Sequence, residues 1–194
     1  MRFQIRAFTS STLVRAFIAI DLPETLRDAL ERSQRIFREW APEARWTRPQ
    51  GIHLTLKFLG GIPDPQVEKV KQRLAALGRF EPFRIEVRGF GFFPEARRPR
   101  VFWAGVEAQL GLAELAVRVE AAMETLGFPR EDRPFHPHLT LARFEEPRPQ
   151  PDLEKALGEF GETFLGAFEP AEFFLFESRL SPRGAEYRKV ARFP

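Results

Sequence analysis

The chain has 194 residues, 43% of them hydrophobic and 29% charged, with a formal net charge of +3; this excludes a disordered polypeptide and leaves enough length for one sizeable core. It has no cysteine, which excludes disulfides, thiolate metal sites and a cysteine nucleophile and fits a reducing cytoplasm. No window approaches the ~18 apolar residues of a membrane-spanning helix, so no membrane association is expected.

Residues 1–12 hold two arginines and a Ser/Thr cluster and are read as an N-terminal extension; residues 13–194 are read as a single domain. Val14 to Ile20 predicts a buried strand. Asp21-Leu-Pro-Glu24 supplies an N-cap, a first-turn proline and an early acid, and Leu26, Leu30, Ile36 and Phe37 lie on one face of a helix running to about Trp40. A second strand is expected over His53 to Leu59, then a break at Gly60-Gly61, Pro63 and Pro65, and a helix through Val67, Val70 and Leu74 to Leu77. Phe83 to Val87 alternates as a strand does, whereas Gly89 to Arg100 reads as irregular and basic. Val101 to Val106 predicts a strand, Leu110 to Leu126 an amphipathic helix, Pro137 to Arg143 a strand, and Leu153 to Phe160 a short helix. Phe173 to Leu180 and Glu186 to Phe193 close the chain as a hairpin around Ser181 to Gly184. Helices and strands mix without regular βα alternation, so the class is α+β with mainly antiparallel sheets. No phosphate-binding glycine loop is present, because GGIPDP and GFGFF lack the strand–turn–helix context that such loops need.

Two of the three histidines open the same string, His53-Leu54-Thr55-Leu56 and His138-Leu139-Thr140-Leu141, 85 residues apart. From composition a given histidine meets Leu-Thr-Leu about once in two thousand trials, so the doubled string indicates an internal duplication. Strand geometry puts His53 and Thr55 on one face, with Leu54, Leu56 and Phe58 directed to the core. His138 and Thr140 repeat the pattern over Leu139 and Leu141. Facing lobes would bring two imidazoles and two hydroxyls to one cleft. Imidazole titrates near neutrality, so one ring can act as base while the other acts as acid, and threonine hydroxyls can donate to phosphate oxygens. This equipment suits in-line attack on a phosphodiester without a metal or any other cofactor. His136, two residues before His138, offers an alternative metal site with His53 and His138, but no acid lies within two residues of any histidine.

Lys57 is placed by alternation on the His53 face as a candidate phosphate contact. Arg143 alternates to the wrong face of its strand and reaches the site only if the strand ends or bends there. Arg97, Arg98 and Arg100, with Phe90, Phe92 and Phe93, form either an RNA-stacking platform or a charged loop over buried rings. The excess of arginine, 25 against 5 lysines, suits phosphate recognition and equally a heat-resistant composition.

These residues resemble the two-histidine (2H) phosphoesterase superfamily, defined by paired His-x-Thr-x strings. Arg15-Ala-Phe-Ile-Ala-Ile-Asp-Leu-Pro23, Arg133 to Arg143, Glu177 to Ser181 and the Tyr187 strand are similar to its branch of bacterial and archaeal RNA 2′,3′-cyclic phosphodiesterases, also called 2′-5′ RNA ligases. The resemblance implies a bilobal α+β fold, two pseudo-symmetric lobes with the active cleft between them, and a chain acting as a monomer on RNA ends. It implies hydrolysis of a 2′,3′-cyclic phosphate to a 2′-phosphomonoester, with His53 as proton donor, His138 as proton acceptor, and Thr55 and Thr140 on the phosphate. The same site would serve 2′-5′ ligation of tRNA halves or hydrolysis of other cyclic or 2′-5′ linked nucleotides. A non-catalytic RNA-end binding module would not require paired acid–base groups.

Overall fold

The computed structural model describes residues 13–181 and 184–194. The extension at residues 1–12 and the tip of the closing hairpin lie outside the described residues. Among the described residues, nine strands form two antiparallel sheets. In the first, β1 (Leu13–Ile20), β3 (Leu54–Pro63), β8 (Phe173–Ser181) and β9 (Gly184–Phe193) run in the order β3-β1-β8-β9. In the second, β2 (Arg45–Trp46), β4 (Ile85–Phe93), β5 (Val101–Ala108), β6 (His138–Arg143) and β7 (Phe164–Phe168) run in the order β2-β6-β5-β4-β7.

The two halves of the chain are exchanged between the sheets. The first half contributes β1 and β3 to the first sheet but sends β4 to the second. The second half contributes β5 and β6 to the second sheet and sends β8 and β9 back to the first. Helix α1 (Glu24–Arg38) joins the exchange: its Phe37 meets Phe90 and Phe102 of the second sheet and Phe160 of α4 (Pro151–Phe160), ring centroids 4.7, 5.1 and 6.1 Å away. Helix α3 (Leu110–Glu124) and α2 (Asp64–Ala75) pack together against β3 of the first sheet. One continuous core therefore runs under both sheets, from Ile18, Ile20 and Leu54 to Phe102, Leu139 and Leu141, all at most 1% exposed. Burial of such side chains supplies the main drive to fold, ~25 cal/mol per Å² of apolar surface, and the exchange means neither half could bury its core alone.

Four local expectations are corrected. Asp21 is not an N-cap: helix α1 starts at Glu24 behind Pro23, with no side-chain cap, and Asp21 instead accepts from the Leu22 N–H at 2.9 Å and pairs with Arg27. The Phe83 strand begins at Ile85 and continues to Phe93 through residues expected to be irregular. Gly89 there takes φ +68°, and a Cβ on Gly91 would stand 2.4 Å from the Trp103 ring, so glycine hides a strand that β-propensity alone misses. The short strands β2 and β7 were not anticipated; two residues, and a segment broken by Gly166 at φ +153°, carry too little alternation to read. Among the described residues, no helix is long and apolar enough to cross a membrane.

Candidate active site

His53 and His138 sit at the entrances of β3 and β6, which approach each other across the two sheets with Cα atoms within 8 Å. Each ring is held in the same way. His53 Nδ1 donates to the carbonyl of Gly51 at 2.8 Å, and His138 Nδ1 donates to the carbonyl of His136 at 2.8 Å. A carbonyl only accepts, so the ring hydrogen of each neutral imidazole is fixed on Nδ1 and Nε2 keeps its lone pair. Gly51 and His136 are themselves related by the 85-residue offset of the two strings.

The residues behind the rings are ordered by buried polar groups. Arg27 is 8% exposed and donates to the carbonyls of Pro49 (2.8 Å) and Ile52 (3.0 Å) while paired with Asp21, which pins the short turn ahead of His53. His53 stacks on Phe17 (4.4 Å, 27°) and meets Tyr187 edge-on (5.0 Å, 85°). Phe17 belongs to a separate apolar cluster with Ala19, Phe174 and Phe176 that surfaces the cleft side of the first sheet. His138 meets Phe93 edge-on at 4.9 Å, and Phe93 in turn leans on Trp103.

A β-bulge in each string decides what else reaches the cleft. In β3 the register against β1 slips between Thr55 and Lys57, leaving Leu56 unpaired; in β6 the register against β5 slips between Thr140 and Ala142, leaving Leu141 unpaired. One extra residue reverses the faces of the residues that follow, in β3 as far as a second slip at Leu59. Lys57 therefore points into the interior, not beside His53 as alternation had placed it. It is 2% exposed, and its ammonium bonds Glu120 of α3 at 2.7 Å and the Pro129 carbonyl at 2.8 Å. Phe58, expected in the core, is 60% exposed on the cleft side, 6.1 Å from the Phe17 ring. In β6 the same slip buries Ala142 and turns Arg143 out to the cleft, so the arginine set on the wrong face by simple alternation lies on the right one.

Gln34, 1% exposed on α1, reaches across to this second bulge. Its amide nitrogen donates to the Leu141 carbonyl at 3.0 Å and to the Thr47 carbonyl at 2.7 Å, and the Thr47 N–H donates to the same Leu141 carbonyl at 2.8 Å. Sequence reading missed Gln34 entirely. A polar residue on the apolar face of an amphipathic helix was the available signal.

Electrostatics tie the two rings together. His53 is pushed down to about 4, chiefly by burial, with the positive charges of Arg27 and Arg143 adding to the effect; the Gly51 hydrogen bond and Asp21 oppose it. His138 is also lowered, again chiefly by burial, with Arg143 and His136 contributing. One guanidinium thus acts on both imidazoles. Thr55 and Thr140 are half-buried on the same sheet faces as the histidines. Burial and positive neighbours favour the neutral form of both rings, and two such imidazoles beside a cation are equipped to receive an anion and pass protons.

The remaining candidates separate. Phe90 and Phe92 pack inward on Phe102, which fits the charged loop over buried rings rather than the stacking platform; of the three phenylalanines, Phe93 meets His138. Arg97, Arg98 and Arg100 are exposed, and Arg100 is tied by its backbone to Phe93 (2.7 Å) and Phe144 (3.0 Å) at the strand end beside Arg143. His136 is exposed, and among the described residues no group of three or more His, Asp or Glu is placed to hold a metal ion.

A sequence profile described as LigT like Phosphoesterase matches residues 20–103 and again residues 105–187, two copies starting 85 residues apart. The chain belongs to the LigT-like phosphoesterases. It is 34% identical over 181 residues to the RNA 2′,3′-cyclic phosphodiesterase of Methanothermobacter thermautotrophicus, covering 93% of this chain and 98% of that protein. It is 37% identical over 191 residues to the enzyme of the same name from Thermus thermophilus, covering 93% and 89%. Among solved structures, TT0787 of Thermus thermophilus is 34% identical with a TM-score of 0.75, covering 92% of this chain and 96% of that one. Escherichia coli LigT complexed with phosphate is 25% identical with a TM-score of 0.74, covering 94% and 98%. The bilobal α+β architecture with paired antiparallel sheets is the one that these relatives share.

Proposed function

We propose that the protein hydrolyses 2′,3′-cyclic phosphate ends of RNA to 2′-phosphomonoesters, through His53 and His138 in acid and base roles. What supports this is the pair of matched histidines on adjoining strands, each with Nδ1 committed to a backbone carbonyl and both acted on by the Arg143 charge. Relatives named RNA 2′,3′-cyclic phosphodiesterase over more than nine-tenths of the chain support the substrate class.

In this reading Nε2 of neutral His138 takes a proton from water as its oxygen bonds to phosphorus. The P–O3′ bond breaks on the opposite side, and Nε2–H of His53 protonates the departing O3′. Thr55 and Thr140 donate to the non-bridging oxygens, and Arg143 offsets their growing negative charge. The free-state pKa of about 4 leaves His53 unprotonated at neutral pH. A bound phosphodiester anion favours the imidazolium, so the substrate itself loads the acid with its proton. Arg100, at the rim beside Arg143, is a secondary RNA contact; Lys57 has no part. Residues 13–194 act as one bilobal domain, as a monomer in the cytoplasm, without a cofactor.

The test is incubation of a 2′,3′-cyclic phosphate oligonucleotide with the protein in excess EDTA. A 2′-phosphate product is expected, lost in both His53→Ala and His138→Ala while the fold persists by circular dichroism. A 3′-phosphate product, or full turnover in either variant, overturns the reading.

A further inference from the structure

His138 lacks the aromatic neighbour that its counterpart has. His53 stacks on Phe17, which stands on the strand next to its own, opposite Phe58. The residue 85 positions after Phe58 is Arg143, and opposite it stands Val101, which has no ring to offer. The ring that meets His138 is Phe93 of β4, one strand further away and paired with Val101. Two strand spacings, roughly 10 Å, separate β4 from β6. Phe93 must therefore lean across β5 to bring its centroid to 4.9 Å from that of His138. Gly105, opposite His138, puts no side chain in its way.

Trp103 stands where this leaning ring needs support. It pairs with Thr140 on one side and with Gly91 on the other. A Cβ on Gly91 would lie 2.4, 2.6 and 3.0 Å from Cζ2, Cη2 and Cε2 of the indole, and one on Gly105 would lie 3.5 Å from Cζ3. Three adjacent ring atoms at such similar distances surround a point over the face of the ring; a point beyond its edge would leave Cε2 much farther off. The indole thus lies down on the strands, in space that two absent side chains leave open. Gly91 has no positive φ, so the indole alone demands glycine there. Phe93 packs on this bed, with ring centroids 5.1 Å apart and planes at 35°. The arrangement carries a cost, because Trp103 Nε1 is buried without a hydrogen-bond partner among the described residues. Phenylalanine would fill apolar space without that orphaned donor, but it is too narrow to span both glycines.

Resting on the reading of His138 as the base, we infer that Trp103 is a positioning residue that braces Phe93 against the His138 ring. The hydrogen bond from Nδ1 to the His136 carbonyl fixes one atom of the imidazole and leaves the ring free to rock about it. The Phe93 contact is the second point of support. It sets the direction of Nε2 and keeps water from one side of the ring. His53 needs no such brace, since Phe17 stacks on it directly and is itself backed by Phe176 at 5.1 Å and 7°.

The experiment uses Trp103→Phe, which keeps a ring, removes the orphaned donor and shortens the brace. The variant is expected to fold, with a melting temperature within a few degrees of native. Its kcat on the cyclic-phosphate oligonucleotide should fall about tenfold with a smaller change in KM, as slight misplacement of a proton-transfer group does. His138, followed by NMR without substrate, should titrate at higher pH, because water then relieves the burial that lowers it. The charged groups that act on His138, Arg143 and His136, stay in place, and the His53 titration should not move. Gly91→Ala, which lifts the indole from its bed without removing an atom, should reproduce the His138 shift. Phe93→Leu should do the same, and the double variant Phe93→Leu, Trp103→Phe should lose no more kcat than Phe93→Leu alone, because Trp103 acts through Phe93. An unmoved His138 titration in the folded variants, an equal shift at His53, or additive losses in the double variant overturns the brace while the reading of the site stands. Absence of turnover in the native protein overturns that reading, and the titrations then decide the brace by themselves.

Discussion

Arg143→Ala tests whether the two imidazoles share one cation. Arg143 reaches the cleft only because Leu141 bulges out of the ladder, and its charge lowers both His53 and His138. Two consequences follow from its removal. The first is catalytic. A unit charge at ~4 Å from a phosphate oxygen contributes about 1 kcal/mol at the dielectric of water and about 4 at an effective value near 20. Arg143 is exposed and the cleft is open, so neither limit applies. The middle of that range corresponds to a drop of about 10²-fold in kcat/KM, at the lower edge of what loss of an oxyanion donor costs elsewhere. Arg143→Lys keeps the charge and loses the planar fork, so it should recover about tenfold of that loss. The second consequence is read without any substrate. Removing a positive neighbour makes protonation easier, so both histidines should titrate at higher pH in the variant than in the native protein. With three histidines in the chain, ring signals in heteronuclear NMR can be assigned by substitution. A shift in only one of His53 and His138, or in neither, refutes the shared-cation geometry. A kcat/KM within twofold of native refutes its catalytic use.

Other outcomes follow from the same geometry. Lys57→Met should cost stability, about 1–3 kcal/mol by urea titration, and leave kcat/KM within about twofold, because the ammonium serves Glu120 and Pro129; a large KM increase would restore the phosphate role. Glu120→Ala should destabilise more, about 3–5 kcal/mol, since it strands an ammonium that is 1% exposed. Gln34→Met removes two hydrogen bonds but also a buried Oε1 that has no partner among the described residues, for a net cost of about 1 kcal/mol. Its effect on kcat/KM should vanish in the Arg143→Ala background if Gln34 acts by holding the bulge, and persist if it acts elsewhere. The pH profile of kcat/KM, which reports the free protein, requires one ring protonated and the other not. With His53 at about 4 and His138 below 6.5, it should peak on the acid side of 6.5 and fall toward pH 8, while the kcat profile is displaced upward by the bound anion. A kcat/KM still rising at pH 8 would exclude these free-state values.

The doubled string, most helices and strands, and the paired lobes were legible because each rests on local pattern. The bulges were not, because alternation was carried through them with a fixed period of two. The signal was nonetheless present as a break in parity. Leu54 and Leu56 are apolar at even positions and Leu59 is buried at an odd one; Leu139 and Leu141 are followed by buried Ala142 and Phe144. Each break sits directly after the Thr, where the observed slip occurs. The rest of β4 was hidden for another reason. Gly89 and Gly91 are there to take a positive φ and to admit the Trp103 ring, and such demands come from neighbours far away in sequence. The exchange of β4, β8 and α1 between lobes leaves no local trace, since either pairing satisfies the same hydrophobic faces.

That exchange bears on how a duplicated unit comes to do asymmetric chemistry. If each repeat formed its own lobe, two like lobes could swing on a linker, and the gap between the histidines would vary with that motion. Here each sheet takes strands from both repeats and one core runs beneath both, so the distance across the cleft is set by the same packing that holds the fold. In the proposed reaction, concerted in-line displacement requires rigid placement of both histidines. Within this fixed frame the repeats differ at matched positions. Lys57 corresponds to Ala142, one an interior tether to α3 and the other plain core; exposed Phe58 corresponds to Arg143, an aromatic wall against a cation. Ala19 faces Thr55 where Trp103 faces Thr140. Symmetry in the backbone delivers two equivalent Nε2 atoms. The substitutions around them then give the rings different neighbours, Phe17 and Tyr187 around His53 and an edge-on Phe93 at His138, and a single directed reaction needs that difference.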